Sequence, residues 1–255
     1  MTFSIITVTC NAAQWIERTI QSIISQSYSG IEYIIVDGGS TDGTLDIITD
    51  YKLRITDKGC RFRWISEPDG GIYDAMNKGL KLATGDYVWF INAGDSIHSP
   101  DTIREIVNQL STVNRQPSII YGETEISDTR GNSSGMRRLK APEKLTWKSF
   151  KMGMLVSHQS FIVKREIAGA YDLQYRYAAD FEWCIRCLKK ADHILNTHLI
   201  LSYFLEAGFS AANRKASLKE RYEAMCRYYG KIPTQIRHLW FAVRFYFAKW
   251  IKRKI

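Results

Sequence analysis

Apolar and β-branched residues fill positions 3–9, and residues 13–26 then place Trp15, Ile16, Ile20, Ile23 and Ile24 at helical spacing. An unbroken apolar run suits a strand covered on both faces, and a 3.6-residue period suits the helix that covers it. The pattern repeats: residues 31–36 read as a strand, Asp37 to Gly43 as a turn, and Leu45, Ile47 and Ile48 as the inner face of a helix that Thr41 or Asp42 would cap. A third strand over 62–66 leads through Pro68-Asp69-Gly70-Gly71 into a helix over 72–83, and a fourth strand over 87–91 ends at Asn92-Ala93-Gly94-Asp95. Strands alternating with helices predict an α/β fold with a mainly parallel sheet.

The second half is less regular. Residues 119–121, 155–163 and 198–205 are strand-like, residues 178–190 are helical, and residues 127–135 are polar and glycine-bearing enough to predict a mobile loop. The expected sheet is therefore mixed, with antiparallel pieces added to a parallel half. Parallel sheets of this type bind ligands beyond the carboxyl ends of their strands. Asn11, the segment at Asp37 and the segment 92–95 each follow the last apolar residue of a strand, so the fold predicts that they share one rim.

Charge divides the chain. The net charge of +9 invites a nucleic-acid reading, but residues 214–255 hold twelve Lys and Arg against two Glu, which leaves the body close to neutral. We expect a catalytic domain over 1–213 and a basic tail over 214–255. The five scattered cysteines have no zinc-ligand spacing and fit free thiols. The first residues read as a strand, which gives the expectation of a protein that stays in the cytoplasm.

Three aspartates carry candidate chemistry, each with a plain structural alternative. Asp37 can accept hydrogen bonds from a ribose or base while Gly38 and Gly39 let a ligand approach the backbone, or the segment is simply a tight turn. Asp95 can hold a magnesium or manganese ion shared with phosphate oxygens, or cap the helix that begins near Ile103. Asp180 sits at the positive end of a helix dipole, where an ionised carboxylate can take a proton from a hydroxyl or act as an N-cap.

Together, Ile5-Ile6-Thr7-Val8-Thr9-Cys10-Asn11, Val36-Asp37-Gly38-Gly39-Ser40-Thr41-Asp42-Gly43-Thr44, the run Glu67 to Gly79 and Ala83-Thr84-Gly85-Asp86-Tyr87 resemble the family 2 inverting glycosyltransferases. Ser157-His158-Gln159-Ser160 and the run Tyr177 to Trp183 look like that family's acceptor-side and base motifs, nearest the branch that builds bacterial surface polysaccharides. The resemblance spans about residues 3–212. It implies an A-type nucleotide-binding α/β sandwich, a nucleotide-sugar donor with UDP favoured, and a saccharide acceptor. It also implies Asp180 as the base, Asp95 as the ligand of Mg2+ or Mn2+, and a donor site at Thr9, Asn11, Asp37, Gly38, Asp69, Asn77, Asn92 and Ala93. His158 and Gln159 fall on the acceptor or phosphate side, although His158 also reads as a satisfied core histidine. Two positions depart from the family: Gly38 stands where a second aspartate is common, and Asn92-Ala93-Gly94-Asp95 keeps one carboxylate of the usual metal motif.

In the tail, Ile236, Leu239, Trp240, Val243, Tyr246, Phe247 and Trp250 fall on one helical arc, with Arg237, His238, Arg244, Lys249 and Lys252 largely opposite. Phe241 and Phe245 interrupt the polar arc, where packing on the main domain would account for them. The pattern predicts an amphipathic helix lying on the inner face of the plasma membrane, which suits a lipid-linked acceptor. A docking helix or a contact with a second copy of the chain is the alternative. Competing functions are a nucleotidyltransferase, which residues 9–16 disfavour by lacking Lys and Arg, and a nucleic-acid binder, disfavoured by the neutral body. A silent scaffold of a polysaccharide assembly complex is the remaining rival.

Overall fold

The computed structural model describes residues 1–206 and 213–252, with side chains through residue 241. The first half alternates as expected: β1 (Phe3–Thr9), α1 (Ala13–Ile24), β2 (Ile31–Asp37), α2 (Thr44–Asp57), β3 (Arg61–Ser66), α3 (Ile72–Leu82) and β4 (Tyr87–Phe90). After these come β5 (Ser96–Ile97), α4 (Thr102–Thr112), β6 (Ile119–Ser127), β7 (Ser133–Met136), β8 (Phe161–Lys164), α5 (Ala179–Lys190) and β9 (Ile194–Leu205). Two helices follow, α6 (Arg214–Tyr229) and α7 (Lys231–Lys252).

The strands form one mixed sheet in the order β3-β2-β1-β4-β8-β6-β9-β5, with β7 paired to β6. The first four strands run parallel, while β8 lies antiparallel between β4 and β6. Alternation along β1 separates two cores. Phe3 and Ile5 face the side covered by α1, α2 and α4, and Ile6 and Val8 face the side covered by α3 and α5. Each fully buried side chain of this size contributes about 1.5–3 kcal/mol relative to exposure. Close seating of α3 depends on Gly79, because a Cβ there would come within 2.5 Å of Ile6 Cγ2.

One buried acid ties the parallel half together. Glu32 on β2 is fully enclosed and accepts from Ser4 Oγ at 2.5 Å, and from Thr84 N–H and Oγ1 at 2.7 Å each. Burial pushes this carboxyl up, but the donors from Ser4 and Thr84 outweigh it and hold the pKa below the ordinary carboxylate range.

Two expectations are corrected. The polar segment 127–135 is a hairpin between β6 and β7, its turn held by Asp128 Oδ1 accepting from the N–H groups of Arg130 and Asn132. The strand expected over 155–163 shortens to β8, because residues His158–Ser160 form a 3-10 turn held by Trp89 Nε1 donating to the Gln159 carbonyl at 2.7 Å. In the tail, α6 packs on the main body through buried Ala224 and Met225.

Within α7, Ile232, Ile236, Leu239 and Trp240 are exposed, whereas His238 turns inward against Tyr222 with ring centres 5.1 Å apart. The side chains of Val243, Phe245, Tyr246, Phe247 and Trp250 lie outside the described residues. No helix among the described residues is long and apolar enough to cross a membrane.

Candidate active site

The ends of β1 and β4, the start of α3, the turn at His158 and the end of β9 enclose a cleft with two joined lobes. The larger lobe, about 470 Å³, is walled by Val8, Thr9, Trp15, Asp69, Asn92, Ala93 and Asp95 among others, and is called the donor side after the residues that the resemblance assigns to a donor. The smaller lobe, about 270 Å³, is walled by Tyr73, Arg137, His158, Asp180, Arg214 and Arg221 among others, and is called the acceptor side after His158. Ile72, Asn92, Gln159 and Phe204 belong to both walls.

The predicted rim residues separate into those that face the cleft and those that build it. Asp37 is fully buried, and its Oδ2 accepts from the N–H groups of Gly39 and Ser40 at 2.9 Å each and from Ser66 Oγ at 2.7 Å. Its Oδ1 accepts from Ser40 Oγ. Asn11, in the left-handed region at φ 48°, accepts the Thr41 N–H and donates its own N–H to Ser40 Oγ. Asn77 clamps the backbone of Tyr171, donating to its carbonyl at 3.1 Å and accepting its N–H at 2.7 Å. Gly38 leaves room for Asp69, whose Oδ2 lies 2.5 Å from where a Cβ on Gly38 would project. The Asp69 carboxylate thus occupies the space that a second aspartate at 38 would need, and it also lines the donor lobe.

Asp95 does not cap α4, whose first turn is organised by the Ser99 N–H donating to Thr102 Oγ1. Instead it is buried in the donor-side wall, with Oδ1 accepting the Leu205 N–H at 3.0 Å and Oδ2 accepting Gln159 Nε2 at 2.9 Å. Burial pushes its carboxyl up to about 7. Gly94, at φ 102°, allows this contact, since a Cβ there would meet Leu205 Cδ2 at 2.7 Å.

Asn92 Oδ1 is buried with no hydrogen-bond partner among the described residues, in the same wall as Asp95. One desolvated carboxylate and one orphaned amide oxygen are hard donors that fit Mg2+ or Mn2+ completed by phosphate oxygens and water. Among the described residues no three His, Cys, Asp or Glu side chains are grouped to hold a metal by themselves.

Asp180 lies in the first turn of α5, two residues beyond the N-cap position at Ala178. The N–H groups of Arg176, Tyr177 and Ala178, just ahead of α5, donate to Glu220 of α6 at 3.0, 2.7 and 2.9 Å. Asp180 Oδ1 accepts from Tyr73 Oη at 3.1 Å and from the Phe181 N–H at 2.8 Å. Burial and the neighbouring Asp180 charge raise the Tyr73 phenol, so it stays protonated and donates.

His158 lines the acceptor lobe but is packed among Phe90, Tyr171 and Trp183, with Nε2 2.6 Å from Tyr171 Oη. Burial pulls its pKa down to about 4, so at neutral pH it offers no positive charge to a phosphate. Sequence reasoning missed Tyr73, Arg137, Glu220 and Arg221. Only Glu220 left a signal, as one of two acids in a strongly basic segment.

The sheet order, with a cleft beyond the strand ends, is that of the A-type glycosyltransferase fold. The chain belongs to Glycosyl transferase family 2, whose profile matches residues 4–169. It is 34% identical over 197 residues to an uncharacterized glycosyltransferase of Mycobacterium tuberculosis, covering 72% of this chain and 68% of that one. It is 31% identical over 211 residues to a PGL/p-HBAD biosynthesis glycosyltransferase of Mycobacterium bovis, covering 81% and 77%.

Among solved structures, S. aureus TarS 1-349 in complex with UDP-GlcNAc aligns with a TM-score of 0.67 at 20% identity, covering 88% of this chain and 64% of that one. The mannosyltransferase PcManGT of Pyrobaculum calidifontis, in complex with GDP-Man and Mn2+, aligns with a TM-score of 0.64 at 18% identity, covering 88% and 64%. The chain thus spans a little under two thirds of these solved chains.

Proposed function

We propose that this enzyme moves a sugar from a UDP-sugar to a hydroxyl of a saccharide acceptor by a single inverting displacement. The observation that carries the reading is Asp180: it sits in the first turn of α5, is oriented by Tyr73 and by the Phe181 N–H, and opens into a lobe that shares walls with the donor lobe. In that position it removes the acceptor hydroxyl proton as the oxygen attacks the anomeric carbon. Thr9, Asp69, Asn92 and Ala93 line the nucleotide side, while Asp37, Gly38, Asn11 and Asn77 hold the loops that shape the cleft. Asp95 and Asn92 would hold Mg2+ or Mn2+, which when bound stabilises the charge of the departing diphosphate. Gln159 keeps Asp95 oriented toward the lobe.

The acceptor is read as lipid-linked and the enzyme as peripheral to a membrane, because α7 presents exposed Ile236, Leu239 and Trp240 next to a cluster of basic residues. The catalytic unit is read as ending with α6 and the membrane-facing part as α7. The sequence resemblance favours a place in surface-polysaccharide synthesis, and the Mycobacterium bovis relative is named for PGL/p-HBAD biosynthesis.

A thermal-shift screen of UDP, GDP, dTDP and CDP, with and without Mn2+, tests the donor assignment. A metal-dependent shift for UDP is expected. No shift with any nucleotide favours the scaffold reading, which the double hydrogen bonding of Asp95 supports. The stereochemistry of the product, read by the anomeric proton coupling in NMR, tests inversion.

A further inference from the structure

The acceptor lobe carries positive charge that the proposed chemistry does not use. Arg137, Arg214 and Arg221 line it, against Asp180 and an exposed Glu206. The donor lobe has the opposite balance, with Arg176 against Asp69 and Asp95. A negative donor wall suits a diphosphate that arrives with a cation; a positive acceptor wall suits an anion without one.

These arginines come from two segments, Arg137 just after β7 and Arg214 and Arg221 on α6, and among the described residues none of the three makes an ion pair. Arg137 is held in place by carbonyls, donating to Met154 at 2.7 Å and to Leu155 at 3.2 Å. Carbonyls orient a guanidinium but do not neutralise it. Arg221 lies 6.0 Å over the Phe181 ring, and its buried Nε has no hydrogen-bond partner among the described residues. Like charges gathered in one cavity repel unless an anion sits among them.

We propose, resting on the glycosyltransferase reading of the cleft, that the acceptor carries a phosphate close to the hydroxyl it offers, and that Arg137, Arg214 and Arg221 grip that phosphate. Guanidinium groups match phosphate oxygens in a planar, bidentate fashion, and three of them suit a group with several charged oxygens. Anchoring the phosphate brings the neighbouring hydroxyl to Asp180. The phosphate belongs either to a lipid diphosphate carrier or to a soluble sugar phosphate.

The test is calorimetric titration of inorganic pyrophosphate into the full chain, alone and saturated with UDP, for wild type, Arg214→Gln and Arg221→Gln. Pyrophosphate is expected to bind alongside UDP, to lose affinity at least tenfold in each variant, and to leave UDP affinity within twofold. Arg214 is exposed, so its variant is expected to fold, and Arg221→Lys serves if Arg221→Gln does not.

Displacement of pyrophosphate by UDP, with UDP affinity falling in the same variants, would assign the arginines to the donor and overturn the proposal. So would wild-type protein that binds no pyrophosphate, or variants that bind it as well as wild type. Arginine-dependent pyrophosphate binding without any UDP binding would sink the donor reading and leave the anion site standing. Tighter binding of dodecyl diphosphate than of pyrophosphate identifies a lipid carrier, and effective competition by glucose 1-phosphate identifies a soluble source; both support the phosphate site.

Discussion

The two lobes of the cleft are built in different ways. Behind the donor side, the loops that end β1, β2 and β3 satisfy one another, with Asp37 holding Gly39, Ser40 and Ser66 and Asn11 reaching Ser40 and Thr41, while Asp95 is tied to distant chain at Gln159 and Leu205. The acceptor side is assembled across long stretches of chain. Glu220 ties α6 to the start of α5, and Tyr73 of α3 reaches Asp180. A site made from adjacent loops tolerates loss of one contact. One made from distant segments depends on a few bonds.

The sharpest way to separate the lobes is Asp180→Asn. Transfer is expected to fall by about 10²–10⁴, the usual contribution of a positioned base, while UDP affinity stays within about twofold. Initial rates and calorimetry on the same samples check both halves. Glu220→Ala comes next, since it strands three backbone donors. Stability is expected to fall by about 1–3 kcal/mol, read from denaturant melts, and transfer should fall with it because the start of α5 loses its anchor.

On the donor side, Asp95 predicts a pH dependence. Its folded pKa of about 7 lies above the ordinary carboxylate value, so the folded protein holds this proton more tightly than the unfolded chain does. Stability without metal therefore falls as pH rises from about 4 to about 7, and the unfolding midpoint of Asp95→Asn should lack that component. Cation binding needs the ionised form. The Mn2+-dependent part of UDP affinity should weaken about tenfold per unit as pH drops below 7, and disappear in Asp95→Asn.

The smallest effect is expected from Gly38→Ala. The new methyl would meet Asp69 Oδ2, which can swing aside at the end of a flexible side chain. A loss of about threefold in UDP affinity with unchanged stability, seen by calorimetry and melting, would tie Asp69 to the nucleotide side.

Legibility from sequence follows the same division. The alternation from β1 to β4 and the rim positions of Asp37, Asn92 and Asp95 could be read because each depends on short-range periodicity and a strand end. What short-range patterns do not contain is partnership. Asp37 and Asp69 look equally able to bind a ligand in sequence, yet one is buried holding Gly39, Ser40 and Ser66 and the other lines the cavity. The pattern over 155–163 is apolar enough for a strand, and only the Trp89 bond and the Gln159–Asp95 contact explain why it turns at His158. Arg137 lies just beyond the segment 127–135 whose composition predicts a loop, and nothing local marks it as part of a site.

Gly230, with φ 86°, separates a helix that is part of the packed body from one that exposes Ile232, Ile236, Leu239 and Trp240. That decides where the chain can be shortened. A version trimmed after Gly230 keeps Glu220, Arg221, Tyr228 and Tyr229 and sheds the sticky surface of α7, so it should remain folded and stay in solution at higher concentration. Trimming at 213, where the change in charge suggests a boundary, removes the brace behind the base and leaves Trp147 and Glu182 without the tyrosines that hydrogen-bond to them.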